Sequence, residues 1–257
     1  MHFPMCGRFA LTASPEEVRE LLGLLELDGF PARYNIAPTQ PILVAIATPP
    51  SAHGSNRPDR KALLVRWGLI PSWVKDPKEF TLLVNARSET AAEKASFRGA
   101  MRHHRILVPA SGFYEWHRPS KESGEKSQAY WIRPKAGGIV CFAGLMESYL
   151  SKDGSEIDTG CILTVAANET VGAVHDRMPV VIAPEDFTRW LDCRAGEPRD
   201  VADLLRPAQE DLFEVIPVSD LVNKVANVGP ELQTPVVPSR QLKSPGKPPG
   251  DGQMSLF

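Results

Sequence analysis

Ile139-Val140-Cys141-Phe142-Ala143-Gly144-Leu145 is an unbroken apolar run rich in residues that favour extended backbone. It reads as a strand, with Cys141 a small buried hydrophobe. Cys161–Ala166 reads the same way, and so do Ile106–Val108, Tyr130–Arg133, Val180–Ala183 and Leu212–Val218. Towards the N-terminus, Ile42–Ala47, Ala62–Ile70 and Thr81–Val84 are further strands, and Pro49–Arg60 is a polar loop. Arg33–Thr39 reads as irregular, with Pro38 restricting the backbone. Helical signals are few. Ser14-Pro15-Glu16-Glu17 is a capping box that starts a helix running through Leu25. Glu89–His104 has helical spacing, and Glu185–Leu191 and Val201–Leu205 are short helices. Many short strands with poor β-α alternation exclude a doubly wound parallel sheet. The expected class is α+β, β-rich, with a mainly antiparallel, barrel-like sheet and a few flanking helices.

A chain of 257 residues suits one generous domain, and a core of that size needs no covalent staples. The four cysteines (6, 141, 161, 193) form no CxxC and no paired framework, a pattern of reducing compartments. No signal layout opens the chain and no apolar run approaches a membrane span, so the expected location is the cytoplasm. The net charge of −2 attracts neither nucleic acid nor membrane as a whole. Residues 57–105, however, carry eleven Lys/Arg against five Asp/Glu, a local basic zone able to bind phosphates. From Pro230 the composition turns to Pro, Gly, Ser, Lys and Gln, and residues 237–257 are expected to be a disordered tail.

No Walker loop, GxGxxG, GxSxG or HExxH occurs. His103 and His104 are adjacent and diverge on a helix, so neither a metal nor a cofactor is expected. Four residues stand out instead. Cys6, in Met5-Cys6-Gly7-Arg8-Phe9, becomes a 1,2-aminothiol if residues 1–5 are absent from the mature chain. Glu115 is flanked by aromatics in Gly112-Phe113-Tyr114-Glu115-Trp116, and a carboxylate in apolar surroundings can serve as a proton donor near neutrality. His175 lies in His175-Asp176-Arg177-Met178-Pro179 just before a strand, and Asn85 ends a strand beside Arg87. Taken singly, each also reads as structural: a strand Glu, a satisfied His, a turn-capping Asn.

Together these stretches resemble a family. With Arg33-Tyr34-Asn35-Ile36-Ala37-Pro38, Trp67-Gly68-Leu69-Ile70-Pro71 and Asn85-Ala86-Arg87-Ser88-Glu89-Thr90 they are similar, in order, to the motifs of the SRAP family. That family comprises SOS-response-associated peptidase-like, abasic-site processing proteins. The resemblance runs from Cys6 to about Val236, which would make residues 6–236 one domain. It implies a β-rich α+β fold and covalent capture of abasic sites in single-stranded DNA during the DNA damage response. It sets the catalytic residues on Cys6, Asn85, Glu115 and His175. It sets phosphate contacts on Arg8, Arg87 and Arg177, and a backbone contact on Thr164. Pro38, Trp73 and Trp116 are then candidates to wedge or stack against bases beside the lesion.

The chemistry follows from the residue types. An α-amine, with a pKa near 7.7–8.0, is roughly one-third neutral at pH 7.5, against on the order of one lysine in a thousand. It attacks the ring-opened sugar aldehyde to give an imine. The thiol then adds to the imine carbon and closes a thiazolidine, which is the reason for Cys rather than Ser. Glu115 would move the protons, His175 would stabilise the opened sugar oxygen, and Asn85 would orient the Cys6 backbone and the aldehyde.

Residues 1–5 are expected to be absent from the mature chain, with residues 1–4 never made and Met5 trimmed if translation starts at Met5. Self-cleavage before Cys6 by Glu115 and His175 is the other route, an autopeptidase activity. Two alternative functions stay open: an N-terminal-nucleophile cysteine peptidase or amidase, and a non-catalytic single-strand-binding adaptor. The last five residues, Gln253-Met254-Ser255-Leu256-Phe257, resemble a peptide that docks bacterial repair proteins on the DNA sliding clamp. There Gln253 would bond a pocket rim while Met254, Leu256 and Phe257 fill an apolar groove. The chain is expected to act as a monomer on DNA, with no membrane partner.

Overall fold

The computed structural model describes residues 7–48, 60–119 and 126–238. Cys6, residues 1–5, most of the loop expected at 49–60 and the tail with Gln253, Met254, Leu256 and Phe257 lie outside the described residues.

Five strands close a barrel: β3 (Pro41–Ala47), β4 (Arg60–Trp67), β6 (Arg105–Ala110), β9 (Val140–Leu150) and β10 (Glu156–Ala166). The pairing runs β10-β4-β3-β6-β9 and returns to β10. Every pair is antiparallel except β10–β4, where Thr159 faces Arg66 and Gly160 faces Trp67. The barrel strands are those with the longest apolar runs, as expected for strands buried inside and covered outside. Three short strands extend it. β5 (Asn85–Arg87) lies parallel to β10, β11 (Arg177–Pro179) antiparallel to β10, and β12 (Val181–Ile182) antiparallel to β9.

A second, antiparallel sheet has the order β13-β8-β7-β1-β2, built from β1 (Phe9–Leu11), β2 (Arg33–Ile36), β7 (Gly112–His117), β8 (Gln128–Pro134) and β13 (Phe213–Val218). It packs on the barrel through an aromatic seam. Phe9 meets Trp67 edge-on at 5.1 Å, and Phe113 meets Phe142 at 6.0 Å and Phe213 at 5.6 Å. Phe9 is 2% exposed, and truncating a buried Phe to Ala costs about 3–5 kcal/mol. Cys141 and Cys161 are buried in this core, where desolvation pushes both thiols up.

The capping box forms as expected. The Ser14 hydroxyl accepts from the Glu17 amide, the Ser14 amide donates to the Glu17 carboxylate, and α1 (Pro15–Leu22) ends at left-handed Gly23, earlier than Leu25.

Four expectations need correction. Arg33–Ile36 is a strand, because β1 supplies the partner ladder that its polar sequence hides. The helix expected over Glu89–His104 is broken into α2 (Ser88–Ala91) and α3 (Arg98–His103). Between them the chain turns so that Phe97 is buried, a tertiary override of helical propensity. Thr81–Val84 contributes only a single bridge, Leu83 to Leu69. The helix expected at Val201–Leu205 is a 3-10 segment, Pro198–Leu204.

Candidate active site and nucleic-acid interface

Glu115 is 3% exposed on β7. Its strand starts at Gly112, where φ is +155° and a Cβ would lie 2.4 Å from the Ile132 carbonyl oxygen, so only glycine fits. β7 runs antiparallel to β1, with Phe113 opposite Phe9 and the Tyr114 amide donating to the Arg8 carbonyl at 2.9 Å.

Asn85 opens β5, opposite Ile162 of β10, and Arg87 ends it opposite Thr164. Thr164 faces Pro179 of β11 on its other side. His175 sits in the turn between α4 (Glu169–Gly172) and β11. Its backbone amide donates to Val171, continuing the α4 turn that Asn168 caps. The Arg177 amide donates to His175 Nδ1 at 3.1 Å, and Asp176 Oδ1 lies 3.0 Å from the same nitrogen. Nδ1 is thus faced by a backbone donor and by a carboxylate, which together fix the orientation of the ring.

Arg177 ties these segments together. It is 9% exposed, grips the Glu89 carboxylate through both Nη atoms, and donates from Nη2 to the Thr164 carbonyl at 2.6 Å. The hydrogen bond from Arg177 holds the Glu89 carboxyl below its ordinary range. Asn85–Glu89 and His175–Arg177 are thus fixed on either side of β10. Trp67 joins this group to β1. Its ring packs on Phe9, and its indole N–H donates to the carbonyl of Val84, the residue before Asn85, at 3.0 Å.

The expected DNA contacts separate into three kinds. Arg87 and Trp73 are exposed, Trp73 at 57% with Phe80 edge-on at 5.6 Å. Pro38 is half-buried in a turn, and Trp116 is half-buried with its indole N–H on Asn223 Oδ1 at 2.8 Å. Arg8 is committed inside the protein, donating to Asn35 Oδ1 at 2.9 Å, Val222 O at 2.6 Å and Asn223 O at 3.2 Å. Thr164 is fully buried, its hydroxyl 3.5 Å from the Ala86 carbonyl and its own carbonyl accepting from Arg177. The basic zone is likewise partly structural. Arg105 is buried, Arg60 donates to Leu22 O and Thr188, and Arg102 pairs with Glu197.

Sequence reasoning missed Asn35. It is 4% exposed, and its amide donates to Val222 O, Lys224 O and Asn227 O, clamping the segment after β13 over Arg8. Glu89 was also missed. Both lie within quoted motifs, but their partners are far away in sequence. Among the described residues, no group of three or more His, Cys, Asp or Glu is arranged to hold a metal, and no helix is long and apolar enough to cross a membrane.

The comparisons agree on one family. The model of the SOS response associated peptidase (SRAP) family matches residues 5–225. The abasic site processing protein YoqW of Bacillus subtilis is 37% identical over 231 residues, covering 89% of this chain and 98% of that protein. YedK of Escherichia coli, also named an abasic site processing protein, is 33% identical, covering 90% and 100%. HMCES of Xenopus tropicalis, named likewise, is 28% identical, covering 91% and 79%. A crystal structure of a Bacteroides thetaiotaomicron protein superposes with a TM-score of 0.74 at 24% identity, over 90% of this chain and all of that one. With six motifs in order on a barrel of matching fold, this chain belongs to the SRAP family.

Proposed function

We propose that the protein processes abasic sites in single-stranded DNA by closing a thiazolidine between Cys6 and the ring-opened sugar. One observation carries this reading: the buried Glu115 lies on β7, which pairs with β1 through Phe113 opposite Phe9, three residues along the chain from Cys6. Three residues of chain span at most about 11 Å, so an aminothiol at Cys6 is tethered within reach of the strand that carries this acid–base group. The Cys6 amine adds to the aldehyde to give a carbinolamine, and Glu115 protonates its hydroxyl, which departs as water as the imine forms. The sulfur then bonds to the imine carbon while the thiol proton passes to nitrogen. His175 stabilises the opened sugar oxygen, and Asn85 orients the Cys6 backbone and the aldehyde. The imine would hydrolyse; the ring makes the link last.

Arg87 meets a phosphate, and Trp73, Pro38 and Trp116 border the lesion. Arg8 and Arg177 hold the walls of the site. Phosphate contacts make the binding salt-sensitive and weakly selective for sequence. Release of residues 1–5 uses Glu115 and His175, or a start at Met5 leaves only Met5 to be trimmed. The peptide Gln253–Phe257 docks the protein on a sliding clamp, and a synthetic 249–257 peptide that fails to bind the clamp at millimolar concentration removes that part.

The test is a denaturing gel after mixing with an abasic single strand. Wild type gives a lasting adduct, while Cys6→Ser gives only a borohydride-trappable imine. A lasting adduct from Cys6→Ala ends the proposal.

A further inference from the structure

His175 stands just past a very short helix. α4 (Glu169–Gly172) is a single turn, and a single turn does not hold itself together in water. Its first three amides find no partner within the turn and need acceptors from outside. Asn168, 6% exposed, supplies one: its Oδ1 accepts from the Val171 amide at 3.0 Å. Glu210 supplies the other two. Its carboxylate accepts from the Glu169 amide at 3.0 Å and from the Thr170 amide at 3.1 Å, one on each oxygen. The Thr170 hydroxyl donates to the Glu210 carbonyl at 2.9 Å.

The tie runs both ways. Asn168 Nδ2 donates to the Ala208 carbonyl at 3.1 Å and to the Gln209 carbonyl at 3.2 Å, so the turn and residues 208–210 are bolted together. The Val174 and His175 amides both donate to the Val171 carbonyl, at 2.9 and 3.0 Å, which carries this frame to the His175 backbone. Residues 208–210 lead into β13, and the chain after β13 bonds Arg8, Asn35 and Trp116. One stretch of chain thus braces both His175 and the Arg8 wall. Glu210 itself is exposed, so its truncation opens no cavity in the core.

We propose that Glu210 is a positioning residue for the capture reaction, acting through His175: its carboxylate sets the α4 turn, and the turn sets where the imidazole meets the opened sugar oxygen. The inference rests on the capture reading above and on the role given there to His175. Bonds from backbone amides to a carboxylate are charge-assisted and stronger than neutral ones. Without them two amides of a one-turn helix turn to water, and the His175 backbone loses its frame. A displacement on the order of 1 Å at a reacting group can slow a reaction about a hundredfold. Arg87, Trp73 and Pro38 lie on other segments, so rate and strand affinity separate.

The experiment measures single-turnover adduct formation on an abasic single strand across strand concentration, with a thermal melt of each protein. It compares wild type, Glu210→Ala, Glu210→Gln, His175→Ala and the double variant Glu210→Ala/His175→Ala. Glu210→Ala should lower the maximal rate about tenfold while half-saturation stays within about twofold of wild type. Glu210→Gln keeps one acceptor oxygen and should fall between Glu210→Ala and wild type. In the His175→Ala background, Glu210→Ala should add less than about a twofold loss, because the group it positions is gone. A merely structural role lowers the melting midpoint and leaves rates measured well below it unchanged. A wild-type maximal rate in Glu210→Ala, a loss confined to half-saturation, or the full loss repeated in the His175→Ala background overturns the assignment while capture by Cys6 stands. A wild-type protein that forms no adduct, or a His175→Ala protein as fast as wild type, sinks the reading beneath the assignment, and the assignment with it.

Discussion

Arg105 and Arg177 are both buried arginines at different ends of the β3–β4 ladder, and they are used differently. Arg105, near Ala47 and Arg60, is 2% exposed and bonds only backbone carbonyls: Trp190 at 2.6 Å, Met101 at 2.9 Å, Asp192 at 2.5 Å and Gly196 at 3.2 Å. Its guanidinium also lies 5.6 Å from the Trp190 ring centre, and each of its side-chain nitrogens has a partner. Arg177, on the β10 side beyond Trp67, bonds a carboxylate that is half exposed, and its buried Nε has no hydrogen-bond partner among the described residues. The first end is finished as structure. The second keeps an incompletely paired donor, Thr39 strained at a φ of +75° and an exposed tryptophan, the kinds of cost that cluster where function needs them.

Four substitutions sharpen that contrast. Arg105→Met keeps volume but strands four carbonyls in a buried site, and should lower unfolding free energy by about 3–5 kcal/mol in a urea titration. Arg177→Lys should cost about 1–2 kcal/mol in the same titration, because it loses the fork on Glu89. Yet it should slow adduct formation at least tenfold, since His175 and the Asn85 segment lose their tie. If Arg105→Met slows capture more per folded molecule than Arg177→Lys does, the division between the two ends is wrong. Trp73→Ala should change stability by no more than about 0.5 kcal/mol, as exposed substitutions usually do, while weakening single-strand binding severalfold in a fluorescence titration.

The smallest effect concerns pH. The Glu89 carboxyl is depressed by Arg177, so its contribution is complete above the ordinary carboxylate range and is lost as pH falls through the depressed value. Glu89 is substantially exposed, so solvent screens the pair and the effect is modest. Glu89→Gln should flatten the acid limb of the melting-temperature profile slightly and lower the midpoint by a small, pH-independent amount above about pH 6. A deficit against wild type that shrinks as pH rises reverses the sign.

The barrel was legible because β9, β10, β3 and β6 are long apolar runs whose burial is written in composition. β1 and β2 were not, since Phe9–Leu11 is too short for periodicity and Arg33–Ile36 is polar at alternate positions, one of them the buried Asn35. Asn85, Glu115 and His175 were singled out through motifs, and no single residue carried a signal strong enough alone. Asn35 and Glu89 escaped because their partners lie far along the chain, at Val222 and Arg177. The strain at Thr39 escaped because only glycine announces positive φ in a sequence. The burial of Thr164 was not legible because a threonine in a strand gives no sign of which way its hydroxyl is enclosed.

The central claim is that the amine and sulfur of Cys6 close a ring on the lesion sugar. Intact mass spectrometry of the adduct with an abasic single strand tests it most directly. The account predicts a protein beginning at Cys6, joined to the strand with the loss of one water and stable without reductant. An equally stable adduct on a chain that keeps Met5 or anything before it, with the Cys6 amine still in a peptide bond, contradicts the account.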